Sequence, residues 1–174
     1  MSHNYKELRD LRRVLKQYRL TIDAGLTGTG IAIWEESRWN LLTVPAFTEC
    51  FRPRTTEDET VRLGFIVNSL RAVTQLIGEP RRVYVERPDY FQSYKGQVTA
   101  SAGSLVTLSL TAGAIAGLFL DSLTWVSVNE WKGQLPKHVV KDRIKQKLGL
   151  KDLEYPTDHE WDAVGIGLYE KGFM

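Results

Sequence analysis

The sequence predicts an α/β domain with a mixed five-stranded sheet, an antiparallel three-strand meander plus parallel strands, flanked by helices. Two observations predict it. Three strand-like segments come first, and helix and strand then alternate until the chain closes in helices, the order of a layered α/β domain. The helical segment after the third strand is long enough to carry the chain back, so the fourth strand can lie parallel to the first.

Residues 7–18 place Leu8, Leu11, Leu15 and Tyr18 at helical steps, predicting an amphipathic helical extension over 1–18 ahead of a main domain over 19–174. Residues 19–23 read as a strand, Gly25, Gly28 and Gly30 as a tight turn, and 31–34 as the returning strand of a hairpin. After the polar turn 35–38, residues 39–44 supply the predicted third strand, stopped by Pro45. Thr56 and Glu59 have capping-box spacing ahead of a stripe of Val61, Phe65, Ile66, Leu70, Val73 and Ile77, which predicts a helix up to Gly78.

Val83 and Val85 alternate with Tyr84 in a strand that ends at Glu86, before Pro88. Residues 98–119 carry Leu105, Leu108, Ala112 and Ile115 on one stripe among small residues, predicting a closely packed helix. A strand over 123–128 follows, then a helix over 137–148 closed by Gly149. Thr157 and Glu160 mark the start of a last helix ending near Gly172.

Length and composition narrow the function classes. With 174 residues, 43% hydrophobic and 25% charged, the chain fits one globular core. Its single cysteine, Cys50, cannot form an intrachain disulfide, so a secreted disulfide scaffold is excluded and a cytoplasmic setting is expected. Lys6, Glu7, Arg9, Asp10, Arg12 and Arg13 interrupt any secretory signal. Residues 96–120 lack charge, but seven Ser, Thr and Gln side chains dilute them, which favours a buried helix over a membrane span. A net charge of +2 argues for no partner by itself, although basic residues cluster at 9–19 and 137–147.

Four residues carry the chemistry. Asp23 ends the first strand, Glu86 ends the fourth, and His159 and Asp162, three apart, share a face at the start of the last helix. Asp158, one residue off that face, reads as a cap or surface charge. Carboxylates crowded together raise one another's pKa, and divalent cations relieve the repulsion. Magnesium or manganese suits oxygen donors plus a phosphate, and the imidazole favours manganese. Two ions about 3.5 to 4 Å apart would activate a water and stabilise the leaving oxygen of a phosphodiester.

Three segments, LTIDAGLTGTGIAIW, VYVERPDYF and TDHEWDAVGIGLY, resemble the RuvC-type Holliday junction resolvases of the ribonuclease H-like superfamily. The resemblance implies that Asp23, Glu86, His159 and Asp162 bind two Mg²⁺ or Mn²⁺ ions, His159 matching members with His rather than Asp at that position. It implies a homodimer that cuts opposite strands of a four-way DNA junction, with no membrane and no small-molecule substrate. In SVNEWKGQLPK, Lys132 and Lys137 fall where the family places basic residues near the scissile phosphate, and Lys137 is assigned a catalytic part. Lys141, Arg87 and Lys95 are further candidate DNA contacts, and Tyr90 or Phe91 is the candidate ring to stack on unpaired bases. The 98–119 helix, rich in small residues, is expected to contribute to the dimer contact.

Three other readings compete. IDAGLTGTG also resembles the phosphate-binding turn of sugar kinases and actin-like ATPases, but those close two such domains over ATP and this chain can supply only one. A ribonuclease H-fold nuclease acting on another branched or hybrid substrate would use the same carboxylates. An inactive binding protein would be expected to lose a costly acidic cluster.

Overall fold

The computed structural model describes residues 2–88, 104–133, 135–150, 152 and 154–174. The chain runs α1 (Ser2–Val14), β1 (Tyr18–Asp23), β2 (Thr29–Glu35), a 3₁₀ turn (Glu36–Arg38), β3 (Phe47–Phe51), α2 (Glu59–Ile77) and β4 (Arg82–Arg87). It continues through α3 (Ser104–Ala116), β5 (Leu123–Ser127), the short α4 (Val128–Trp131), α5 (Lys137–Leu148) and α6 (Asp158–Glu170). The five strands form one sheet in the order β3-β2-β1-β4-β5. β1 pairs antiparallel with β2 and parallel with β4, β2 pairs antiparallel with β3, and β4 pairs parallel with β5. The predicted mixed sheet is present, and the α2 crossover makes the β1 and β4 pairing parallel.

Strand alternation divides the interior into two layers. Leu20, Ile22, Ile31, Ile33, Val83 and Val85 pack with Leu8 and Leu15 from the N-terminal segment, with Ile66, Leu70, Val73 and Ile77 of α2 and with Ala112 and Ile115 of α3. On the opposite face, Ala32, Trp34, Tyr84 and Val126 pack against Trp161, Val164, Ile166 and Leu168 of α6 and Val140 and Ile144 of α5. Gly165 and Gly167 let α6 lie close to the sheet side. A Cβ at Gly167 would stand 2.4 Å from the Trp34 ring, and one at Gly165 2.5 Å from the Trp131 ring. Thr21, buried in β1, ties the layers by donating to the Ala163 carbonyl at 2.7 Å and accepting from Trp34 Nε1 at 3.0 Å.

Two expectations are corrected. The third strand is Phe47–Phe51, not residues 39–44. Trp39 is buried, stacked on Tyr84 at 5.4 Å and edge-on to Trp34 at 6.1 Å, with the Arg19 guanidinium 4.4 Å above it. That aromatic nest takes the residue into the α6 layer and leaves Leu41, Leu42 and Val44 exposed, while the ladder to β2 resumes where Ala46 N–H donates to the Ile33 carbonyl at 2.7 Å. The N-cap of α2 is Asp58, whose carboxylate accepts from Val61 N–H at 2.9 Å, rather than Thr56.

The α3 helix covers 104–116 of the predicted 98–119; residues 89–103 lie outside the described residues. Gly149 closes α5 in the left-handed region, at φ 67°, and Thr157 caps α6 by accepting from Glu160 N–H at 3.1 Å, both as expected. No helix among the described residues is long and apolar enough to cross a membrane.

Candidate active site

Alternation along the central strands sets the site. In β1, Thr21 and Asp23 share the face opposite Leu20 and Ile22; in β4, Tyr84 and Glu86 share the face opposite Val83 and Val85. Because β1 and β4 are parallel neighbours, both carboxylates stand at the same end of the sheet, on the side where α6 packs. Helix α6 delivers His159 and Asp162 from its first two turns.

The turn between β1 and β2 makes room for that helix. None of Gly25, Gly28 and Gly30 has a positive φ, so they serve the approach of neighbours rather than a left-handed turn. A Cβ at Gly30 would stand 2.0 Å from the His159 carbonyl oxygen, and one at Gly28 2.8 Å from its ring. Thr29 closes the turn, its hydroxyl donating to the Gly25 carbonyl at 2.9 Å.

Asp23, Glu86, His159 and Asp162 line a single cleft of about 530 Å³, together with Lys132, Lys137, Glu59, Arg62 and Thr107. A second cavity, about 550 Å³ between α1, β3 and α2, holds none of the four. Within the cleft the groups stand in two sets. His159 Nδ1 lies 2.7 Å from Asp23 Oδ2; a carboxylate accepts, so Nδ1 carries the proton and Nε2 remains the nitrogen open to a cation. Lys132 Nζ bridges the other two, 2.7 Å from Asp162 Oδ2 and 3.1 Å from Glu86 Oε2, and Trp131 Nε1 donates to Glu86 at 3.0 Å.

The electrostatics follow from burial and crowding. Burial, with Asp23 and Asp162 nearby, pushes the Glu86 carboxyl up to about 7 against the opposing pull of Lys132. Burial and Asp23 likewise raise Asp162. Burial would lower Lys132, but Glu86, Asp162 and Asp23 outweigh it and hold the ammonium above its ordinary range. The bond to Asp23 raises His159, with burial opposing.

Within the cleft Glu86 and Asp162 share the buried Lys132 ammonium, Asp23 is left to His159, and the Glu86 carboxyl is held near neutral pH. Among the described residues no three His, Cys, Asp or Glu side chains already stand in coordinating geometry, because Lys132 sits between Glu86 and Asp162 and His159 is turned onto Asp23. The donor set itself, three carboxylates and an open imidazole nitrogen, fits magnesium or manganese.

The remaining candidates divide. Lys137 lines the cleft and pairs with Asp158 at 3.2 Å, and Lys141 pairs with the same carboxylate at 2.7 Å. Asp158 is held below the usual carboxylate range by Lys141, with Lys137 adding to the effect. Arg87 is exposed at the end of β4, paired across the ladder with Ser127. Tyr90, Phe91 and Lys95 lie outside the described residues. Sequence reasoning missed Arg62, although a signal existed: it stands one four-residue step before Ile66 on the buried stripe of α2, where an apolar residue is expected.

No protein-family model and no curated protein sequence matches the chain. Solved structures of Thermus thermophilus RuvC are among those that resemble it. Thermus thermophilus RuvC in complex with a Holliday junction substrate matches with a TM-score of 0.60 and 21% identity, over 90% of this chain and 94% of that one. A second Thermus thermophilus RuvC structure matches with a TM-score of 0.53 and 20% identity, over 90% and 98%. On this likeness the chain has the RuvC-type fold, a mixed five-stranded sheet between helical layers.

Proposed function

We propose that this chain is a metal-dependent endonuclease that resolves four-way DNA junctions by paired nicks, acting as a homodimer. The observation that carries the reading is the meeting of Asp23, Glu86, His159 and Asp162 in one cleft at the ends of parallel β1 and β4. The likeness to a RuvC bound to a junction supports the substrate.

The cations would be held by those four side chains. When bound, magnesium or manganese supplies Lewis-acid polarisation of a phosphoryl oxygen and a water acidic enough to attack phosphorus at neutral pH. The chain's own residues do the rest. Asp23 fixes the His159 ring through Nδ1 and presents Nε2 to the cleft. Lys132, held by Glu86 and Asp162, and Lys137, at the cleft wall, offset the charge that builds on the phosphate as the P–O ester bond breaks. The buried Trp131 indole fixes the Glu86 carboxylate.

The dimer is supported by an apolar surface in the α2 and α3 layer. Val106 and Leu110, one turn apart on α3, are 62% and 60% exposed. A second copy of the chain seated there would set two clefts to act on two strands. Glutamate at Val106 and Leu110 should convert a dimeric species to a monomer in light scattering.

The test of the function is a substrate panel. With Mg²⁺ or Mn²⁺, a synthetic four-way junction should be cut in preference to an RNA:DNA hybrid and a linear duplex. Equal or better cleavage of the hybrid would assign the same chemistry to a different substrate, and cleavage of none would overturn the nuclease reading.

A further inference from the structure

The nuclease reading gives parts to the lysines of the cleft but none to its arginine. Lys132 is paired with Glu86 and Asp162, and Lys137 with Asp158. Arg62 lines the same cleft from the first turn of α2, on the wall that also carries Glu59 and Thr107. Its Nε is buried with no hydrogen-bond partner among the described residues. The position belongs by spacing to the core stripe of Ile66, Leu70, Val73 and Ile77, and an apolar side chain there would cost nothing in unmet hydrogen bonds. Instead a guanidinium, the most reliably charged of side chains, lines the cleft that holds the carboxylates and pairs with none of them.

Resting on that reading, we propose that Arg62 is a phosphate-binding residue that fixes the nucleic-acid backbone in the cleft, from the wall formed by α2. A phosphodiester offers two non-bridging oxygens sharing one negative charge, which a guanidinium meets with a planar fork and an ammonium meets as a point. The desolvation already met at Nε in the free protein favours an incoming anion over water. The carboxylates repel that same anion, so a fixed cation on the α2 wall would hold the backbone in register with them.

The proposal predicts a split between charge and fork. Binding of wild type, Arg62→Gln and Arg62→Lys to a four-way junction is measured in Ca²⁺ across a salt series, and single-turnover cleavage is then measured in Mg²⁺. Arg62→Gln should lower the slope of log Kd against log salt by about one and slow cleavage by about tenfold or more. Arg62→Lys should keep the wild-type slope and still cut more slowly. A core role alone would move the melting temperature and leave the slope unchanged. Should Arg62→Gln fail to fold by circular dichroism, Arg62→Lys carries the test, and a wild-type cleavage rate in it overturns the proposal. Wild-type slope and rate in folded Arg62→Gln overturn it as well. A wild-type protein that neither binds nor cuts the junction overturns the nuclease reading and, with it, this part for Arg62.

Discussion

The ammonium of Lys132 lies 2.7 Å from an Asp162 carboxylate oxygen, at the centre of the acidic cleft. Glu86 stands 3.1 Å from the same ammonium, so these two carboxylates share it. Lys132→Met therefore leaves two buried carboxylates without their partner. Near pH 8 without divalent ions, the variant should lose about 3 kcal/mol of stability. Near pH 5 the loss should be much smaller, because Glu86 and Asp162 take up protons instead. Urea melts at the two pH values measure it.

The pH dependence of the wild type has a definite sign. Glu86, at about 7, and Asp162 are raised above their unfolded values, and His159 is raised as well. Each then holds its proton more tightly in the fold than in the unfolded chain. The stability each group contributes is complete below its own unfolded value and is lost as pH rises through its folded one, which for Glu86 is about 7. Divalent ions favour the ionised carboxylates and reverse the loss, so Mg²⁺ or Mn²⁺ should raise the melting temperature more at pH 8 than at pH 5. A thermal melt with EDTA and with each ion gives the comparison.

Asp23 acts on His159 directly, through a 2.7 Å contact. Asp23→Asn should remove junction cleavage while keeping the fold, and should lower the His159 pKa toward the ordinary histidine value of about 6.5. Histidine NMR titration reads the second effect independently of any activity, with His159→Gln used to assign the resonance.

Glycine 30 makes the site by leaving space. Gly30→Ala drives a methyl group to within 2.0 Å of the His159 carbonyl oxygen, against backbone that cannot rotate away. The start of α6 must move, which should cost about 2 to 4 kcal/mol and disrupt the placement of His159 and Asp162. Gly167→Ala, against the Trp34 ring far along the same helix, should destabilise by a similar mechanism with a smaller effect on cleavage per unit of stability lost.

The chain's sequence carried the site further than it carried the sheet edge. Alternation in β1 and β4 placed Asp23 and Glu86 because those strands are central and apolar on the opposite face. The Thr157 cap fixed where α6 starts, and hence the face that His159 and Asp162 share. The edge strand β3 escaped because Thr48, Glu49 and Cys50 break its apolar pattern, while Trp39, Leu41, Leu42 and Val44 form a strand-like run that tertiary stacking diverts. The four-residue α4 is too short for periodicity to register. Lys132 read as a basic residue near the scissile phosphate, but its pairing with two acids was not legible, because that depends on the parallel placement of β4 beside β1 and the packing of α6, which no local pattern encodes.

That correction is itself testable. Trp39→Ala should cost about 3 to 5 kcal/mol by emptying the space between Trp34, Tyr84 and the Arg19 guanidinium. Leu42→Asp, at an exposed and unpaired position, should leave the urea midpoint within about 0.5 kcal/mol of wild type.

The most direct measurement is strand mapping of a four-way junction incubated with Mg²⁺ or Mn²⁺ and wild type, Asp23→Asn, Glu86→Gln or Asp162→Asn. The account predicts symmetric paired nicks from wild type alone, lost on EDTA addition, with the three variants folded and still binding the junction. Nicks of wild-type yield from folded Asp23→Asn, or from wild type in EDTA, would contradict it.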